Sequence, residues 1–192
     1  MLPVRSTVLS NQILVITAGR AAREQMLEWE ALLAIQDEVT IIDGGNRFNV
    51  YQVAKSVRRK TAKLHEALQN IKISRSFSCY QMAALLREIQ TGTKPLFILD
   101  LLFSFYDEDI KVQESQRLLE KALIDLKRLS QNSPVVISTR PLTNNPERQI
   151  LLDMLTDIAA VVWKGEEPVP VQEETLQLLP WVQGNNLSSG EN

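Results

Sequence analysis

Four short apolar runs limit what this chain can fold into more than any other feature. Ile13–Ile16, Val39–Ile42, Leu96–Leu99 and Val135–Ile137 are rich in β-branched residues, and stretches with helical spacing separate them. That alternation describes a parallel sheet covered by helices. The run Leu96-Phe97-Ile98-Leu99 ends in the carboxylate of Asp100. In a nucleotide-hydrolysing protein of this plan, the first strand leads into G-x-x-x-x-G-K-[ST], a loop whose backbone cradles phosphate. Here Ile13–Thr17 leads into Ala18-Gly19-Arg20-Ala21-Ala22-Arg23-Glu24-Gln25. The second glycine, the lysine and the hydroxyl are all missing. The pattern of a fold is kept while its usual phosphate chemistry is lost.

A chain of 192 residues fits one domain with a sizeable core. The expected domain covers 1–183, and the polar stretch 184–192 is expected to be a disordered tail. Hydrophobic residues make up 44% and charged residues 23%, values that suit a soluble globular protein. The net charge of -2 rules out a global pull toward nucleic acid, so any such binding must come from a local basic patch. The lone Cys79 allows no internal disulfide and points to a reducing, cytoplasmic setting. No apolar stretch approaches the roughly 20 residues a membrane span needs, so no membrane is expected.

Along the chain, 12–17 reads as the first strand. Met26, Trp29, Leu32 and Leu33 then share one face of a helix over 21–33. Val39–Ile42 is the second strand, and Asp43-Gly44-Gly45-Asn46 reads as a turn whose glycines supply unusual backbone angles. Asn49 is placed to cap a helix over 50–57, and a second helix is expected over 60–69. Ile71–Ser74 reads as a short strand, and Ser78 as the cap of a helix over 80–89. A long amphipathic helix fits 112–130, with Leu118, Leu119, Ala122, Leu126 and Leu129 on one side. A helix over 147–156 and a strand over 159–163 follow the strand at Val135, and Val169–Leu179 suggests a further edge strand.

From Val39 to Lys164 the order of motifs resembles the ATPase core of RecA/RadA-type recombinases, most closely the archaeal and eukaryotic branch. Ile41-Ile42-Asp43-Gly44-Gly45-Asn46-Arg47-Phe48 stands where that family has Asp-x-Glu-Gly, a Phe and a helix. Ser74-Arg75-Ser76-Phe77 is similar to its Ala-Arg-Ala-Phe segment. Leu96–Asp100 is similar to its Walker B strand, and Val136-Ile137-Ser138-Thr139-Arg140 to the strand ending in Thr-Asn-Gln. The resemblance implies a three-layer α/β/α fold: a mostly parallel RecA-like sheet with helices on both faces.

The departures from that family shape the functional expectation. Hydrolysis requires a phosphate cradle, a lysine, a magnesium site and a group that positions water. Of these, the resemblance leaves Asp100 alone. Gly45 stands at the catalytic glutamate and Arg140 at the glutamine that senses phosphate. The expectation is a pseudo-ATPase: a non-catalytic interaction or scaffold subunit, an oligomer or the partner of another protein, acting in DNA recombination or repair. No cofactor is expected. The alternative is an unusual nucleotide site in which Gly19, Arg20, Arg23, Asp43, Asp100 and Arg140 hold ATP and magnesium. Arginines such as Arg20 and Arg23 more commonly stay solvated or pair with neighbours such as Glu24. Arg58, Arg59 and Lys60 form the densest basic cluster and, with Arg148, are the candidate contacts for a nucleic-acid backbone. A solvated face is the plainer role for such a run. The family's DNA-binding loops correspond to Asp107–Glu114, which is acidic, and Pro141–Arg148. Phe103, Phe105 and Tyr106 lie beyond a strand end, either as core or as an exposed contact patch. His65 and Cys79 have no metal-spaced partners.

Overall fold

The apolar runs become strands because every one of them is sealed on both faces. The computed structural model describes residues 12–17, 20–141 and 145–164, apart from the side chains of 20–23 and 25. Among the described residues six strands form one sheet: β1 (Ile13–Thr17), β2 (Val39–Asp43), β3 (Ile71–Arg75), β4 (Leu96–Leu99), β5 (Val135–Thr139) and β6 (Val161–Lys164). Their order is β3-β2-β4-β5-β1-β6, and every pairing is parallel. The helices are α1 (Arg20–Ala34), α2 (Val50–Arg58), α3 (Leu64–Gln69), α4 (Cys79–Glu88), α5 (Val112–Ser130) and α6 (Gln149–Asp157).

Alternate residues on each strand feed opposite cores. Leu14, Ile16, Ile41, Phe97, Leu99 and Val136 pack with Met26 and Trp29 of α1. Ile13, Val15, Ile42, Ile98, Val135 and Ile137 pack with Met82 of α4, Leu119 and Leu126 of α5, and Leu151 of α6. This is the period-two burial of a sheet covered on both sides. A smaller cluster joins Leu27 and Ala31 of α1 to Val53 and Val57 of α2 and Ala67 of α3. The result is the three-layer α/β/α fold expected from the sequence, with a sheet that is parallel throughout.

The direction of the chain across the sheet decides which face each helix takes. The steps β1 to β2 and β2 to β3 run one way, and the steps to β4, β5 and β6 run back. Right-handed crossovers then put α1–α3 on one face and α4–α6 on the other, as the two cores record. The loop after β2 therefore leaves toward one face and the loop after β4 toward the other. That change of direction is the kind of place where parallel sheets hold ligands, beyond the carboxyl ends of the strands.

The caps follow the sequence closely. Asn49 Oδ1 accepts from the N–H groups of Tyr51 and Gln52, and Ser78 Oγ accepts from Gln81. The helix expected over 60–69 is shorter and begins at Leu64, because Thr61 Oγ1 takes the N–H of Lys63 in a local turn. The helix expected over 147–156 opens as a 3-10 turn at Pro146–Arg148, and the last strand starts two residues late, at Val161. The expected strand over 169–179 and tail over 184–192 lie outside the described residues.

Candidate functional site

Asp43 closes β2 with a fully buried side chain. Its two oxygens accept from the backbone N–H groups of Arg47 (2.9 Å) and Phe48 (2.8 Å), and Arg75 Nε lies 3.7 Å away. The carboxylate thus holds the 44–48 loop in place. Gly44 and Gly45 are small for a reason other than the one expected. Neither has a positive φ; Asn46 (51°) and Asp100 (52°) take the left-handed conformation instead. The glycines are needed because the chain passes too close to its neighbours for a side chain. A Cβ on Gly45 would lie 2.6 Å from Asp100 Oδ2, and one on Gly44 would lie 2.7 Å from Met82 Cε.

Asp100 follows β4, directly beside the 44–45 turn. Its N–H donates to Ser138 Oγ on β5 (3.0 Å), which fixes the carboxylate against the next strand. Asp100 Oδ2 accepts from an Arg140 terminal nitrogen at 3.0 Å, and Arg47 Nε lies 3.4 Å from the same oxygen. The ring of Phe103, half exposed in a 3-10 turn, lies under both guanidiniums, 5.6 Å from Arg140 and 6.0 Å from Arg47. Guanidiniums stack on aromatic faces and keep their charge at every physiological pH. Asp43, Asp100 and Arg140 are thus brought together at one edge of the sheet. Arg47, Arg75, Ser138 and Phe103 complete the cluster.

Glu30 lies beneath this cluster, wholly buried on α1. Neither of its oxygens has a hydrogen-bond partner among the described residues. Burial, and then the negative charge of Asp43, push its carboxyl well above the ordinary glutamate range. The sequence did carry a signal for it, because position 30 falls inside the apolar stripe of α1, between Met26, Leu27, Leu33 and Ala34.

At the neighbouring strand ends, Thr17 of β1 and Thr139 of β5 are register partners. Their hydroxyls and that of Tyr106 are buried, and the Tyr106 phenol lies beside the Thr139 hydroxyl. Burial pushes the Tyr106 phenol up to about 12. Phe105 is fully buried, so Phe103 is the exposed aromatic of that segment.

The remaining candidates separate. Gly19 lies outside the described residues, as do the side chains of Arg20 and Arg23 at the start of α1. Arg58, Arg59 and Lys60 are exposed at the far end of α2, with Arg59 in a groove that also contains Glu24 and Glu28. Arg148 corrects the sequence reading. Only 3% of it is exposed, and its guanidinium donates to the carbonyls of Phe105 and Ile110 and to Ser115 Oγ. A cation committed in this way pins the 107–111 loop and is withdrawn from any phosphate backbone. The two loops likened to DNA-binding loops do meet: Asn145 donates to Glu108, and together they border a cleft of about 730 Å³. Glu108, Glu147, Lys111 and Arg148 line that cleft, so acidic and basic groups balance there.

His65 is exposed with its ring against Gln69, and Cys79 is buried. Among the described residues, no three His, Cys, Asp or Glu side chains converge as metal ligands, and no helix is long and apolar enough to cross a membrane. Chemically, the site has carboxylates already bound by cations and loop amides, and guanidiniums that remain partly open to solvent. Compared with known proteins, the chain matches no family model and no curated relative.

Proposed function

We propose that this chain is a non-catalytic RecA/RadA-like subunit, a pseudo-ATPase that works as an interaction or scaffold component of a cytoplasmic assembly, with DNA recombination or repair as its setting. One observation carries the reading. The carboxylate that the resemblance equates with a magnesium ligand, Asp100, is bound by the guanidiniums of Arg140 and Arg47. A magnesium ion would have to displace those charges. The wall beside it argues the same way, since at position 45, where the family has its catalytic glutamate, even a Cβ would meet Asp100. Asp43 has both oxygens engaged by loop amides and is not a free base. Loop, lysine, glutamate and metal carboxylate are thus all absent or committed elsewhere, and hydrolysis requires them together.

A second reading, a nucleotide site of unusual build, draws on the buried hydroxyls of Thr17 and Thr139 at the strand ends beside residues 18–19. Thermal unfolding with and without millimolar ATP and magnesium separates the two, because a ligand of the folded state raises the melting temperature. The scaffold reading expects no shift and no phosphate release. A shift that saturates with ATP overturns it. Its positive side is tested by co-purification from the native host with half the sample treated with nuclease. A nuclease-resistant protein partner, or a self-assembled form, is the expected result.

A further inference from the structure

We propose that the Arg47–Phe103–Arg140 face is a docking site for an acidic segment of a partner protein, one carboxylate seated on the guanidiniums with an apolar side chain against the Phe103 ring. The proposal rests on the scaffold reading above and specifies its partner.

Position is the first argument. The three side chains follow β2, β4 and β5 at the carboxyl edge of the sheet, where the loops after β2 and β4 part toward opposite faces. Charge is the second. Three guanidiniums (Arg47, Arg75 and Arg140) meet two carboxylates, Asp43 and Asp100, so the cluster has more cation than anion. Burial pushes the nearby Glu30 toward its neutral form, which leaves that surplus in place. Accessibility is the third: the Arg47 and Arg140 side chains are 36% exposed and Phe103 is 50% exposed. Pre-organisation is the fourth. Asp100 holds Arg140 from below, Ser138 holds Asp100, and the ring spaces the two guanidiniums. A planar fork held still loses little freedom when it grips a second carboxylate.

The same features favour a short acidic peptide over nucleic acid. A backbone-tracking site needs a run of open cations, whereas these are few and already share counter-charges. The net charge of the chain, -2, adds no long-range attraction for a polyanion.

The test uses the full chain and a displayed library of random dodecapeptides, with binding of selected peptides measured by fluorescence anisotropy. Expected are peptides enriched in Asp or Glu beside Phe, Leu or Trp. Their affinity should fall about tenfold or more on Arg140→Gln and on Phe103→Ala, and only partly on Arg140→Lys, which keeps the charge and loses the fork. Phe103→Ala removes no charge, so it keeps the test valid should Arg140→Gln fail to fold. Peptides without acidic enrichment, or acidic peptides that bind the variants as well as the parent, overturn the proposal. Oligo-dT that outcompetes the peptides and loses affinity on Arg140→Gln overturns it in favour of nucleic acid. ATP titration of the same samples reports separately on the scaffold reading: acidic peptides bound alongside ATP would sink that reading and leave this site standing.

Discussion

The arginines at the carboxyl edge of the sheet and those at the end of α2 carry the same group in opposite settings. Arg140 and Arg47 meet a carboxylate that a strand end and a serine hold in place. Arg58 and Arg59 stand in solvent, and α2 carries them away from that edge because helices run back against parallel strands. Arg148 takes the contrast further, with a buried guanidinium bound mostly to backbone carbonyls. Arginine in a sequence reads as a surface cation. What it does depends on whether the fold has placed an acceptor within reach, and strand ends and tight loops are where this fold does so.

The contrast is sharpest, and the expected effect largest, at Arg148. Arg148→Leu leaves the carbonyls of Phe105 and Ile110 and the Ser115 hydroxyl short of a donor. Buried acceptors left unmatched cost about 3–4 kcal/mol together. A fall of that size in urea stability, at unchanged denaturant slope, is expected. A near-neutral result would class Arg148 with the surface cations.

Next comes the close approach of Gly45 to Asp100. Gly45→Ala puts a Cβ 2.6 Å from Asp100 Oδ2 and 2.8 Å from Asp100 Cβ, against a side chain tied to two arginines. Relief requires moving the ion pair or the loop, at about 2–3 kcal/mol. Thermal unfolding should register the loss, and Gly45→Glu should do so without creating ATPase activity. A tolerated alanine would mean that Asp100 is free to move, and the guanidiniums with it.

Glu30 tests the opposite sign. The folded protein holds its proton more tightly than the unfolded chain does, because burial and Asp43 both disfavour the charge. This group therefore stabilises the fold least at neutral pH and more as pH falls to the ordinary glutamate range, about pH 4. Glu30→Leu removes the penalty and is expected to raise stability by about 1–2 kcal/mol at pH 7. The gain should shrink toward pH 4, as unfolding curves across that range will report. A loss of stability at pH 7 would reveal a partner that charges Glu30 in the folded state.

These residues also mark what the sequence made legible. Strands, helices and caps could be read because their signals are local: the short apolar runs of β1 and β4, the apolar stripe of α5, the oxygens of Asn49 and Ser78. Asp43, Asp100 and Arg140 could be placed together because each ends a strand of one parallel sheet, and such ends share an edge. Arg47 and Phe103 were harder. The pair meets over 56 positions of chain, through a loop held by Asp43 and a turn after Asp100. Arg148 was misread because its acceptors are backbone carbonyls, which every residue has and no sequence pattern marks. The glycines were assigned to unusual backbone angles, whereas the close approach of Met82 and Asp100 demanded their size.

The smallest effect is expected where the cations are exposed to solvent. Arg58 sits in the last turn of α2 and Arg59 caps it, both exposed, with Lys60 following. A cation near a helix C-terminus is favoured by the helix dipole, yet exposure and salt screening hold that to tenths of a kcal/mol. Replacing Arg58 or Arg59 singly by Ala is expected to change stability by less than about 0.5 kcal/mol. The measurement is thermal unfolding at low and high salt, beside Arg140→Gln as the contrasting case. Any loss at Arg58 should vanish in high salt, since water already surrounds the charge. The loss at Arg140 should persist, since its partner Asp100 is largely buried and shielded from ions. If both respond to salt alike, then the carboxylate at the strand end does not distinguish them, and the difference between the two arginine groups is one of location alone.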